Sequence, residues 1–191
     1  NNVGYGDDSG CRGQSYSWSA MAYGDWIYTG LNYNALGQTV QLMDVGLGHK
    51  YDPELLPGIL NVLYNGDFFT AERDNSANVP GGALVKINTK TGEVKILMSK
   101  TAGKYSVKDN VSFRNAVKYN GKFYFCGSVD HAPQIWQVDP KTDDCKKVYG
   151  MTAKDFGEGF KDGISAGIRG MCVYKDELIV SCVTKNAKGK F

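Results

Sequence analysis

Apolar and polar residues alternate along this chain in short runs that are broken by tight polar turns. Val111–Ser128 is the clearest case: two runs rich in Val, Phe and Tyr flank Asn120-Gly121. Asn-Gly suits a type I′ turn, in which both central residues take positive φ, so the stretch predicts a tight β-hairpin. The same shape recurs at Ser17–Gly30 around Gly24-Asp25 and at Ile168–Ser181 around Lys175-Asp176. Tyr23, Tyr119 and Tyr174 align just before the turn, and Ile27, Phe123 and Leu178 just after it.

A second unit recurs between the hairpins. Gly82–Leu97 aligns with Pro133–Val148, each reading as strand, polar turn, strand. The bends are Asn88-Thr89-Lys90-Thr91-Gly92 and Asp139-Pro140-Lys141-Thr142-Asp143. Hairpin followed by hairpin makes a four-stranded antiparallel sheet repeating about every 50 residues, the period and strand count of a β-propeller blade. The expected fold class is all-β: a propeller segment of about two and a half four-stranded antiparallel blades, with a helical insertion in the first. Residues 1–16 form a lead-in and 17–191 the partial propeller. A propeller closes with about four to eight blades, and a sheet left open near Val183 exposes unpaired backbone. The chain is therefore expected to be part of a longer ring, whose remainder lies in the same protein or in a second chain.

Arg114–Val148 resembles a kelch-type blade. An Arg precedes the first strand, a hairpin ends in Phe123-Tyr124-Phe125-Cys126-Gly127, and Val138-Asp139-Pro140 follows. The chain departs from that pattern where kelch repeats carry a double glycine, since Thr29-Gly30, Cys126-Gly127 and Ser181-Cys182 stand there. Val138 and Cys145 also replace the outer-strand Tyr and Trp. The resemblance implies arginines on the loop-rich face that contact acidic partner peptides.

Blade topology sorts the connections into two sets. The Gly24-Asp25, Asn120-Gly121 and Lys175-Asp176 turns and the two Thr-containing bends gather at one end. The long connections 31–81, 99–112, 127–133 and 150–167 gather at the other, upper end, which is where binding is expected. Within 31–81, Leu36, Val40, Met43 and Leu47 recur at helical spacing before Gly48. Asp52-Pro53 then opens a second apolar stripe through Leu56, Ile59, Leu60 and Leu63. A helical hairpin is expected there, and a further helical turn at Thr152–Lys161.

Composition narrows the function classes. A net charge of +2 gives no grounds for nucleic acid or an anionic membrane as partner. No apolar run approaches the roughly 20 residues of a bilayer span. The five cysteines have irregular spacing and no CxxC, and read as small buried hydrophobes. Twelve Tyr and 24 Gly against five Pro fit β structure rich in turns. The chain opens without an initiator Met or signal-peptide pattern, as a processed or trimmed product does. Asn110-Val111-Ser112 is a glycosylation acceptor pattern, relevant in a secreted eukaryotic protein, and an extracellular or cell-surface setting is slightly favoured.

Arg114 and Arg169 occupy equivalent positions at the upper start of the innermost strands, and Trp18 holds that place in the first blade. Two guanidiniums and an indole converging on one axis suit a carboxylate, sulfate, sugar or acidic peptide loop. The alternative is that each Arg braces a neighbouring loop through carbonyls or a carboxylate such as Asp109 or Asp162. Asp130-His131, in the short upper loop of the second blade, joins Trp18, Arg114 and Arg169 as candidate ligand- or partner-binding residues, but His49 is the only other histidine, so no metal site is expected. Asp7-Asp8 and Asp143-Asp144 lack calcium-loop spacing. Gly4-Tyr5-Gly6 and Gly157-Glu158-Gly159 lack the context of phosphate loops. No nucleophile triad is readable, and no cofactor is expected. The expected function is a non-catalytic binding or interaction module for an anionic ligand or protein. One alternative is a propeller hydrolase, lyase or quinoprotein-like oxidoreductase whose site is completed by further blades. The other is a structural surface scaffold that presents the insertion.

Overall fold

A computed structural model describes residues 14–33, 82–99, 105–106, 111–129, 132–150 and 166–183. Among them are eleven β-strands and no helix. The first sheet contains β1 (Gln14–Tyr23), β2 (Trp26–Tyr33), β3 (Leu84–Asn88) and β4 (Val94–Ser99), antiparallel in that order. A two-residue strand, β5 (Tyr105–Ser106), adds to β4 in parallel. The second sheet runs β6 (Val111–Tyr119), β7 (Lys122–Val129), β8 (Ala132–Asp139) and β9 (Asp144–Gly150), all antiparallel. The third is the pair β10 (Ala166–Tyr174) and β11 (Glu177–Val183).

The expected hairpins and bends fall on these strands in the expected order. The helical hairpin expected within 31–81 lies outside the described residues, except that Leu31, Asn32 and Tyr33 extend β2. The helical turn expected at Thr152–Lys161 and most of the 1–16 lead-in also lie outside them. Among the described residues, no helix is long and apolar enough to cross a membrane.

Local chemistry explains the turns. Asn120 (φ 46°) and Gly121 (φ 72°) both take the positive φ of a type I′ turn. Lys175 (φ 45°) and Asp176 (φ 59°) do the same without a glycine, at a cost of about 1 kcal/mol each. The two polar bends share one hydrogen-bond plan. Asn88 Oδ1 accepts from the Lys90 and Thr91 amides (2.9 and 3.0 Å), as Asp139 Oδ1 accepts from the Lys141 amide (3.0 Å). Gly92 and Asp143 then take positive φ at matching positions and donate to the Asn88 and Asp139 carbonyls. The Thr89 amide and hydroxyl both donate to Asp25 O, which puts the β1–β2 and β3–β4 turns at one end of the sheet.

Successive sheets pack face to face. Tyr28, Leu84, Leu97 and Met98 of the first sheet share a core with Phe113, Phe123, Phe125, Val138 and Cys145 of the second. Tyr28 meets Phe123 edge-on at 5.3 Å between centroids. The opposite face of the second sheet contributes Cys126 and Ile135 to a core with Ile168 and Met171 of the third. The second sheet is thus covered on both sides, which is why Phe123-Tyr124-Phe125-Cys126 is continuously apolar rather than alternating. Each buried Phe contributes roughly 1.5–3 kcal/mol. Cys126 and Cys145 serve as buried thiols in these cores, while Cys172 is exposed. The first strands of the three sheets are neighbours: β6 lies against both β1 and β10.

Candidate functional site

Each of the three first strands departs from regular pairing at the same place. In β1 the ladder steps from Ser17↔Leu31 to Ser19↔Gly30, in β6 from Phe113↔Gly127 to Asn115↔Cys126, and in β10 from Ile168↔Cys182 to Gly170↔Ser181. The residue left over in each bulge is Trp18, Arg114 and Arg169, five residues before the aligned tyrosines. A bulge takes one side chain out of the alternation and re-aims it. Arg114 therefore lies in a bulge four residues into β6, not at the strand's entrance as the sequence suggested.

The bulges bring two of the expected residues into contact. The Arg114 guanidinium carbon sits 4.4 Å from the centroid of the Trp18 ring, with both side chains half-buried. Such a stack contributes about 0.5–2 kcal/mol and leaves the guanidinium N–H edge available for a planar acceptor. Among the described residues no carboxylate or carbonyl is bonded to Arg114. Arg169 has the matching backbone position on β10, but its side chain lies outside the described residues, as do Asp130, His131, Asp109 and Asp162.

Close approach of the two sheets holds this stack in place. A Cβ on Gly30 would lie 2.3 Å from Phe113 Cβ and 2.4 Å from Ser19 Oγ, so only glycine fits opposite the first bulge. The Ser19 hydroxyl donates to Phe113 O at 3.5 Å, linking β1 to β6 directly beside Arg114. On the next residue, Asn115 Oδ1 is buried and has no hydrogen-bond partner among the described residues.

A second polar cluster, not anticipated from the sequence, lies nearer the short turns. Lys86, almost fully buried in β3, pairs with Asp143 of the β8–β9 turn at 2.5 Å and lies 4.3 Å from the Trp26 ring centroid. The Tyr28 hydroxyl faces Asp143 Oδ1 at 2.7 Å and Pro140 O at 3.1 Å. Burial, then the Asp143 hydrogen bond and its negative charge, push the Tyr28 hydroxyl well above its usual range. The phenol stays protonated as a donor and the lysine charge is neutralised, so this cluster joins two sheets rather than offering an acid or base. One signal for it was present: Lys86 interrupts the apolar run Leu84-Val85-Lys86-Ile87, where a buried charge needs a partner. In the second sheet the matching pair is Tyr124 and Gln137, with Gln137 Nε2 donating to the Tyr124 hydroxyl at 2.6 Å. Lys122 pairs with Asp139 nearby, and that hydrogen bond holds the Asp139 carboxyl below its usual range.

Among the described residues, no three His, Cys, Asp or Glu side chains converge as a metal site would require. Comparison with protein-family models, curated proteins and solved structures finds no match to this chain.

Proposed function

We propose that the three sheets are consecutive blades of a β-propeller and that the chain is a non-catalytic binding module. In this reading it takes an anionic ligand or acidic partner segment at the ring of bulges formed by Trp18, Arg114 and Arg169. The observation that carries it is Arg114: half-buried, stacked on Trp18, and bonded to no carboxylate or carbonyl among the described residues. A guanidinium braced by an aromatic face, with a donor edge that meets no acceptor among the described residues, suits carboxylate or sulfate recognition. The matching bulge at Arg169 supports a second cation on the same ring. The resemblance of Arg114–Val148 to a kelch-type blade, which implies arginines that contact acidic partner peptides, supports this reading.

The test is binding of three probes: a polyglutamate peptide, a sulfated oligosaccharide and an oligogalacturonate. The Arg114→Ala/Arg169→Ala double variant is expected to lose about tenfold or more in affinity for at least one, each lost charge-assisted contact being worth roughly 1.5–3 kcal/mol. Its denaturation midpoint, measured in parallel, separates lost binding from lost fold. Failure of the natural protein to bind any probe, or unchanged binding by a folded double variant, would remove the reading.

A further inference from the structure

Of the three two-residue turns at the short-turn end, the one between β6 and β7 holds a reactive pair. Asn120-Gly121 sets a side-chain amide carbon, Asn120 Cγ, one residue before an unhindered backbone nitrogen. Tyr119 pairs with Lys122 across the turn, so the ladder uses those two residues and leaves the Gly121 amide outside it. Among the described residues neither the Asn120 side chain nor the Gly121 amide takes part in a hydrogen bond. Both residues are exposed, and a Cβ on Gly121 would meet nothing within 4 Å beyond its chain neighbours.

The other asparagines among the described residues lack this combination. Asn88 precedes Thr89, its Oδ1 accepts from the Lys90 and Thr91 amides, and the Thr89 amide donates to Asp25 O. Asn115 precedes Ala116, which lies inside the β6–β7 ladder, and Asn32 is almost fully buried.

A single local change brings the nucleophile to its target. Closing a five-membered ring from Gly121 N to Asn120 Cγ requires near-eclipsed Cβ–Cα–C–N atoms. An L-residue has that arrangement at ψ of about −120°, the value at the first central position of a type II′ turn. Asn120 already has the positive φ that types I′ and II′ both require there. Turning over the Asn120–Gly121 peptide plane converts type I′ to type II′. It takes Gly121 from φ 72° to about −80°, and glycine adopts either. Both turn types match the twist of the flanking strands, so β6 and β7 stay paired.

We propose that Asn120 is a site of spontaneous deamidation in the folded protein, reached through this flip. The Gly121 nitrogen forms a bond to Asn120 Cγ and gives up its proton; the Cγ–Nδ2 bond breaks, and ammonia leaves with that proton, giving a succinimide. Water then opens the ring at either carbonyl. Cleavage at Cγ leaves an aspartate, and cleavage at the main-chain carbonyl leaves an isoaspartate whose chain runs through Cβ and Cγ. Either product adds one negative charge, and isoaspartate adds one carbon to the two-residue turn. It does so beside Tyr119, whose hydroxyl donates to Asp176 O of the third sheet. The proposal stands on the turn alone and is independent of anion binding at Arg114.

The test follows the native protein in mildly alkaline buffer beside the same protein unfolded in urea. Trypsin, cleaving after Lys118 and Lys122, releases Tyr119–Lys122. Mass spectrometry and enzymatic methylation of isoaspartate then quantify both products at position 120. The other Asn-Gly pair, Asn65-Gly66, lies outside the described residues and is separated from position 120 by its own peptide. A reaction that waited for global unfolding would run roughly 10³-fold or more slower in the native protein than in the unfolded chain. The local flip is expected to keep the native rate within about 100-fold of the unfolded one, while Asn88 stays unmodified over the same period. A larger slowing at Asn120, or modification of Asn88 at a comparable rate, would overturn the proposal. The succinimide form, accumulated in mildly acidic buffer, gives a second reading. Its Tyr119 and Lys122 amides are expected to keep their hydrogen-exchange protection, and loss of that protection would show that the hairpin opens and would equally overturn it.

Discussion

Replacing Asp143 with Asn removes one charge from the junction of the first two sheets while leaving its shape intact. Asp143 has φ 63°, and Asn tolerates that left-handed conformation where Ala would add backbone strain. The amide oxygen can still accept from Tyr28, so the lost quantity is the charge facing Lys86. The Lys86 side chain is 9% exposed and that of Asp143 is 28% exposed, with 2.5 Å between the charged atoms. Breaking a buried pair from one side costs about 3–5 kcal/mol. Water at Asp143 and the Trp26 and Tyr28 rings around the ammonium reduce that, so Asp143→Asn is expected to cost about 2–3 kcal/mol. The assay is urea denaturation followed by tryptophan fluorescence, with an unchanged m-value required for the comparison. Lys86→Met completes a double-mutant cycle. Removing both charges is expected to be close to neutral, giving a coupling energy of about 2 kcal/mol. A loss under about 0.5 kcal/mol for Asp143→Asn, or a coupling near zero, would mean that Lys86 is solvated and that the pair does not hold the sheets together.

Two further outcomes follow from the same junction. Gly30→Ala forces a Cβ into Phe113 and Ser19 and is expected to cost about 3 kcal/mol or more, whereas Gly24→Ala, with open space but φ 56°, costs about 1 kcal/mol; equal effects in denaturation would contradict the close approach of β2 and β6. Because the folded Tyr28 hydroxyl titrates above its unfolded value near 10, its contribution to stability is complete below about pH 10 and declines as pH rises further, so Tyr28→Phe is expected to flatten the alkaline loss of stability.

The strands, their order and the Asn120-Gly121 turn were legible because each depends on neighbours in sequence. The bulges were not, because reading alternation assumes a period of two. In retrospect the buried positions carry a trace of them. Phe113 and Ala116 pack against one core and Ile168 and Met171 share the other, each pair three residues apart instead of two or four. That odd step is the sequence signature of the extra residue, and it marks Arg114 and Arg169 more sharply than their charge does. Lys86 in its apolar run hinted at a buried partner, but the identity of the Tyr28–Lys86–Asp143 cluster was not legible for another reason. Its members come from β2, β3 and the β8–β9 turn, and only the packing of the two sheets joins them. Alignment of Arg114 with Trp18 identified equivalent positions, but the stack between them required adjacent first strands, which repetition alone did not establish.

The distribution of charge partners bears on where a ligand would be met. At the end with the short turns, Lys90 pairs with Asp25, Lys122 with Asp139 and Lys86 with Asp143, while Lys175 lies over the Tyr174 ring. Arg114 lies five residues before Tyr119, about 17 Å along the strand from that turn. There a bulge and an indole hold the guanidinium, and among the described residues no carboxylate answers it. Holding a half-buried cation without an anion costs free energy that a purely structural bulge would avoid by placing an apolar residue there, as Trp18 shows is possible at the same position of β1. Under the proposed reading, Arg114 is the residue whose loss would separate binding from folding.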